Sequence, residues 1–116
     1  MMPLNEFYSW INSVKEKSQK YLKFAISPEA DCVKDILDDY KEFHDSAKAY
    51  SQVRNYYESL NRDMEDFIGR EKYENAKELL GTLNNVKESA SQLEKRMIKA
   101  EEDILFAMEF CAARTE

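Results

Sequence analysis

Residues 76–111 read AKELLGTLNNVKESASQLEKRMIKAEEDILFAMEFC. Small or apolar side chains recur there at alternating steps of three and four residues, without an error, for five heptads: Ala76, Leu79, Leu83, Val86, Ala90, Leu93, Met97, Ala100, Ile104, Ala107 and Cys111. This alternation is typical of a helix that packs in a left-handed coiled coil. Gly81 lies within the stretch, but the phase continues across it, so we predict one long helix over 71–112.

Two further segments show the same periodicity. The stripe over 28–68 is interrupted by one step of three where four is due, between Tyr50 and Val53, which locally overwinds a coiled coil. The segment over 3–26 carries a stripe through Phe7, Ile11 and Val14, widened by Trp10. We predict helices over 3–26 and 28–68.

The ends of these helices carry recognisable signals. Pro3 and Pro28 suit the first turn of a helix, where the missing N–H costs nothing, and Ser27 can cap the second helix. Gly69 is expected to end that helix in a left-handed conformation. Because both connections are short, consecutive helices must be antiparallel.

The predicted fold is therefore all-α. Residues 1–116 form a single domain, an up-down-up antiparallel three-helix bundle with left-handed coiled-coil packing. Only two Gly and two Pro occur and 34% of the residues are charged, a composition that long helices favour. At about 1.5 Å per residue the second and third helices would each be roughly 60 Å long, so the domain should be a rod.

Several landmarks resemble a spectrin repeat. They are Trp10-Ile11 in the first helix, the Ser27-Pro28 step into the second helix, Phe43 in its middle, and Arg96 in the third helix. Val86 lies where the family usually has a second Trp, and Tyr40 lies where a His is common. The resemblance covers nearly the whole chain and implies a divergent repeat of the spectrin, dystrophin, nesprin or plakin type.

The residues that catalysis or cofactor binding requires are missing. His44 is the only histidine, which excludes a di-iron site built on two Glu-x-x-His motifs and a zinc site using several histidines. We therefore expect no enzyme activity, no catalytic residue, no metal and no cofactor. His44 is interpreted as a boundary residue, and the tyrosines, including Tyr73, as packing residues on or beside the core stripe.

Charge and cysteine usage limit the setting. The net charge of −6 disfavours binding to nucleic acid and to an anionic membrane surface. Cys32 and Cys111 match no metal or redox motif, so we expect reduced cysteines in or beside the core. With no basic segment before an apolar one at the N-terminus, no signal peptide is expected. We predict a cytoplasmic protein at the cytoskeleton or the cytoplasmic face of the nuclear envelope.

The end of the third helix carries apolar side chains outside the coiled-coil seam. We name these four residues the C-terminal patch: Leu105, Phe106, Met108 and Phe110. They either cover the ends of the other helices or form an exposed surface that a neighbour buries. The second interpretation makes the patch a candidate site for protein partners, adjacent repeats or self-association.

Two functions remain open. The first is a structural module, one rod-like repeat of a cytoskeletal or nuclear-envelope linker that acts as a spacer and a protein-docking surface. The second is a small self-assembling coiled-coil adaptor or scaffold, dimeric and in one version membrane-associated, because a heptad seam does not show whether its partners belong to the same chain.

Overall fold

The computed structural model describes residues 1–23 and 31–115, without the side chains of Cys32 and 112–115. These residues form three helices, α1 (Leu4–Lys23), α2 (Asp31–Gly69) and α3 (Tyr73–Thr115). The predicted all-α three-helix bundle is confirmed. The molecule is a rod of 67 × 20 × 17 Å. The predicted boundary at Ser27-Pro28 and the predicted end of the first helix lie outside the described residues.

The seam of α3 packs as its heptads predict. All but two of the eleven seam residues are buried, the exceptions being the partly buried Leu79 and Leu93. The helix continues through Gly81, where an added Cβ would meet open space. Because seam residues pack against α2 along most of both helices, the α2–α3 hairpin forms the length of the rod.

The core divides into two clusters. The larger one combines α1 residues such as Phe7 and Val14 with α2 residues up to Tyr50 and α3 residues from Ala90 onward. The smaller one contains Leu60, Leu83 and Val86 together with partly buried neighbours, all from α2 and α3. The bundle is therefore three helices thick in one half, here the proximal half, and two helices thick in the other, the distal half.

Polar and aromatic contacts fix α1 in the groove between α2 and α3. The Trp10 ring meets the edge of the Phe43 ring at 5.6 Å between centroids, and its Nε1 donates to Glu101 Oε2 at 3.1 Å. The backbone N of Met2 donates to the Tyr50 hydroxyl, which itself donates to Glu94 Oε1 at 2.8 Å. Trp10 of α1 and Met2, which precedes α1, thus close the groove at two levels.

The turn between α2 and α3 differs from the prediction. Glu71, not Gly69, has the positive φ, 59°, and Gly69 is the last residue of α2. The backbone N of Lys72 donates to Phe67 O and that of Glu71 to Ile68 O, the pair of bonds that defines a Schellman motif. The left-handed residue therefore lies two positions after Gly69, because the backbone N–H groups of Glu71 and Lys72 satisfy the last carbonyls of α2. Helix α3 begins at Tyr73 instead of Glu71.

Two substitutions test whether Glu71 or Gly69 is the left-handed residue that caps α2. We expect Glu71→Gly to raise the free energy of unfolding by about 1 kcal/mol, since a side chain at positive φ is strained and glycine is not. Gly69→Ala should also stabilise, by up to about 1 kcal/mol, because Gly69 is helical. Urea unfolding measures both changes. A loss of stability in Gly69→Ala would mean that Gly69 is the left-handed cap.

A second pair of variants tests how α1 docks. Phe7 is buried against Tyr50, with ring centroids 5.0 Å apart, whereas the adjacent Tyr8 is 53% exposed. Phe7→Ala should cost about 3–5 kcal/mol because it leaves a cavity in the core. Tyr8→Ala should change stability by less than about 0.5 kcal/mol. Equal effects in thermal or urea unfolding would show that α1 presents a different face.

Candidate functional site

The C-terminal patch does not form one surface. Phe106 and Phe110 are 70% and 49% exposed, and their rings stack at 6.5 Å between centroids. Leu105 is also exposed, but it does not line the cleft beside these rings. Met108 is partly buried and packs against the larger core cluster. Of the four predicted residues, the structure thus brings only the two phenylalanines together.

The stacked rings form one wall of a cleft between the start of α2 and the end of α3. The cleft has a volume of 420 Å³, and we name it the acidic cleft after its lining: Asp35, Asp38, Asp39, Asp103, Phe106, Ala107 and Phe110. Its aspartates come from two helices, whose antiparallel packing places Asp103 opposite the first turns of α2. The sequence predicted only the apolar helix end of this site, and the aspartates beside it were not predicted.

Electrostatic repulsion is concentrated at Asp39. Burial raises the pKa of Asp39 above its ordinary value of 3.8, and the charges of Asp103, Asp35 and Asp38 raise it further. Lys99 lowers it, but less than these other causes raise it. The cleft therefore favours positive charge in a bound group, and two aromatic faces offer it apolar and cation–π contact.

Metal binding has no support in this arrangement. Within residues 1–23 and 31–115, no group of three or more His, Cys, Asp or Glu side chains has a geometry that could hold a metal ion.

The other singled-out residues occupy simple positions. His44 is exposed and stacks on Tyr40 at 6.4 Å between ring centroids, which agrees with a boundary role. Tyr73 was predicted to lie on or beside the core stripe; it is exposed, because it begins α3 beyond the last buried layer. Arg96 forms an exposed ion pair with Glu42, with 2.7 Å between Nη2 and Oε1.

For Cys111, the cysteine prediction is correct for burial and wrong for redox state. Cys111 is buried in the larger core cluster, as expected, but it is disulfide-bonded. The side chain of Cys32, the other cysteine of the sequence, lies outside the described residues. Disulfides are rare in reducing compartments, so the cytoplasmic setting loses its support from cysteine usage.

Comparisons with known proteins add no family. No protein-family model, no curated protein and no solved structure matches this chain. In the part of the chain that the structure describes, no helix is both long and apolar enough to span a membrane.

The charge repulsion in the acidic cleft predicts a pH-dependent stability. Because the folded-state pKa of Asp39 is raised, its ionised form destabilises the folded state at neutral pH, and this penalty disappears as pH falls and the carboxyl becomes protonated. Asp39→Asn should therefore raise the free energy of unfolding at pH 7, by up to about 1 kcal/mol. The gain should shrink toward zero as pH falls below the ordinary Asp pKa of 3.8.

Asp45→Asn is the matched control for this variant. Asp45 is exposed on α2, outside the acidic cleft, so its removal should leave stability nearly unchanged at either pH. Equal gains in Asp39→Asn and Asp45→Asn would show a general effect of net charge and contradict the local repulsion.

Proposed function

We propose that this chain is a rod-like structural and interaction module, one repeat of a spectrin-like array that serves as a spacer and a docking surface for proteins. The observation that carries the proposal is the acidic cleft with its stacked, exposed Phe106 and Phe110, located at one end of a 67 Å rod. Hydration of exposed aromatic rings is unfavourable, and a partner that covers the rings removes this cost. Such a patch therefore favours protein association.

The shape supports a spacer role. Two helices of 39 and 43 residues extend along the rod and the seam between them is closely packed, so the ends of the module are held far apart. A closed globular domain of the same length would have a radius of gyration of about 13 Å, whereas this chain has 19.4 Å. In an array of such modules joined end to end, the lengths of the rods would therefore add.

The family resemblance is part of the proposal. Trp10 and Phe43, two of the landmarks, contact each other and join α1 to α2, which is consistent with a shared packing role. We infer a divergent spectrin-type repeat from these landmarks and the heptads together. The cytoskeletal or nuclear-envelope setting belongs to this resemblance alone, and the disulfide at Cys111 argues for testing extracytosolic compartments as well.

Light scattering coupled to size exclusion tests the proposal. At the lowest protein concentration that gives a signal, we expect a mass of 13.7 kDa at an elution volume earlier than that of a globular protein of this mass, because the rod is elongated. A compact dimer whose mass does not change on dilution would contradict the proposal and favour a self-assembling adaptor with intertwined chains.

A further inference from the structure

The groove that holds α1 continues beyond α1. Residues seven apart lie on the same face of a coiled coil, so one series on α2 and one on α3 line the whole groove: Phe43, Tyr50, Tyr57 and Met64 on α2, and Glu101, Glu94, Lys87 and Leu80 on α3. Trp10 closes the first level and Met2 the second. The third level is formed by Tyr57 and Lys87, with Lys87 Nζ 5.7 Å from the centroid of the Tyr57 ring.

The groove residues of α2 and α3 are less buried beyond the N-terminal end of α1. On α2, Phe43 and Tyr50 are fully buried. One and two heptads later, Tyr57 and Met64 are only partly buried, and Leu80 on α3 is 52% exposed. We name this uncovered surface the distal groove: Arg54, Tyr57, Met64, Leu80 and Lys87. Tyr57, Met64, Lys87 and Leu80 lie at steps of seven residues from the residues that line the covered groove in the proximal half.

The charge of the groove wall also changes there. In the covered half the α3 wall carries carboxylates, Glu101 and Glu94, which accept hydrogen bonds from Trp10 and Tyr50. In the distal groove the corresponding position is Lys87, and α2 contributes Arg54. The Nε and Nη1 atoms of Arg54 are buried and have no hydrogen-bond partner within the described part of the chain, and its Nη2 contacts Glu58 at 3.5 Å. The exposed Lys87 and the uncovered apolar side chains therefore favour an occupant that is apolar and bears a carboxylate.

The same chain carries a surface of that description. The acidic cleft combines Phe106 and Phe110 with four aspartates. It lies in the proximal half, where the start of α2 meets the end of α3, so it cannot reach the distal groove of its own chain along a rigid rod.

We propose that the distal groove of one copy receives the α3 ridge of the acidic cleft, Asp103, Phe106 and Phe110, of a second copy. The rings cover Tyr57, Met64 and Leu80, and Asp103 faces Lys87 beside Arg54. This inference rests on the proposed function, since it assigns a partner to the same cleft, and it adds the distal groove as the receiving surface.

The contact joins two different surfaces, so it does not close on itself. Each chain that is bound through its cleft still presents a distal groove, and head-to-tail contacts that do not close by rotation grow into open chains. The average mass should therefore rise continuously with protein concentration. It should fall with added salt, because the facing charges are screened.

One variant disables each surface. Lys87→Glu places a negative charge in the distal groove, and Phe106→Glu removes a ring from the acidic cleft and adds a carboxylate. Sedimentation velocity over a concentration series should show that each variant alone associates at least about tenfold more weakly than the natural chain. The carboxylate of Lys87→Glu would face the aspartates of the cleft with a like charge. Phe106→Glu would replace a ring with a carboxylate placed against the apolar Tyr57, Met64 and Leu80. An equimolar mixture should give a complex of two chains that does not grow further, since one intact groove meets one intact cleft.

Matched controls carry the same charge change elsewhere on α3. Lys95→Glu and Ile98→Glu alter exposed side chains that line neither surface, and both variants should associate like the natural chain. Circular dichroism checks that all four variants remain helical, and a non-reducing gel checks that no disulfide joins two chains.

Three outcomes overturn the inference. A natural chain that stays monomeric at every concentration excludes the contact, and leaves the proposed function intact with another protein as the partner of the cleft. Association that survives both Lys87→Glu and Phe106→Glu excludes these two surfaces. A compact dimer of constant mass contradicts the inference and the proposed function together.

Discussion

The unequal lengths of the three helices govern this molecule. α1 has 20 residues, whereas α2 has 39 and α3 has 43, so a helix of about 30 Å lies against a hairpin about twice as long. Helix α1 therefore buries apolar side chains along only half of the seam between α2 and α3. The fully buried large side chains, among them Tyr50, Phe43, Ile36 and Met97, all lie in that half.

The two halves consequently have different physical roles. In the proximal half, packing and the hydrogen bonds of Trp10 and Met2 hold the three helices together. In the distal half, partly buried apolar side chains and cations remain at the surface along the line that α1 follows elsewhere. The proximal half also holds the acidic cleft, where burial and neighbouring carboxylates raise the pKa of Asp39. Opposite charge and shared apolar character make the two surfaces complementary.

Heptad periodicity predicted the fold well, because the burial of a seam depends only on local spacing. The uninterrupted α3 and the three-helix bundle follow from it directly. The position of the helix cap was not predicted. Glycine is the residue type that usually adopts positive φ, yet Glu71 and not Gly69 does so here, because the backbone hydrogen bonds of the turn determine the position. The site was predicted only in part. Helical spacing placed Phe106 and Phe110 outside the seam. It could not predict which aspartates lie opposite them or how far α1 extends along α2 and α3, because both depend on how the helices pack against each other.

Site-resolved native-state hydrogen exchange tests most directly whether the rod has a three-helix half and a two-helix half. Amides of α2 and α3 next to α1, around Phe43 and Met97, should exchange only through global unfolding. Amides around Leu60 and Leu83 should exchange faster, through local opening, because fewer apolar contacts protect them. The measurement must be made at a concentration at which the chain is monomeric. Equal protection along the whole length of α2 and α3 would contradict this account.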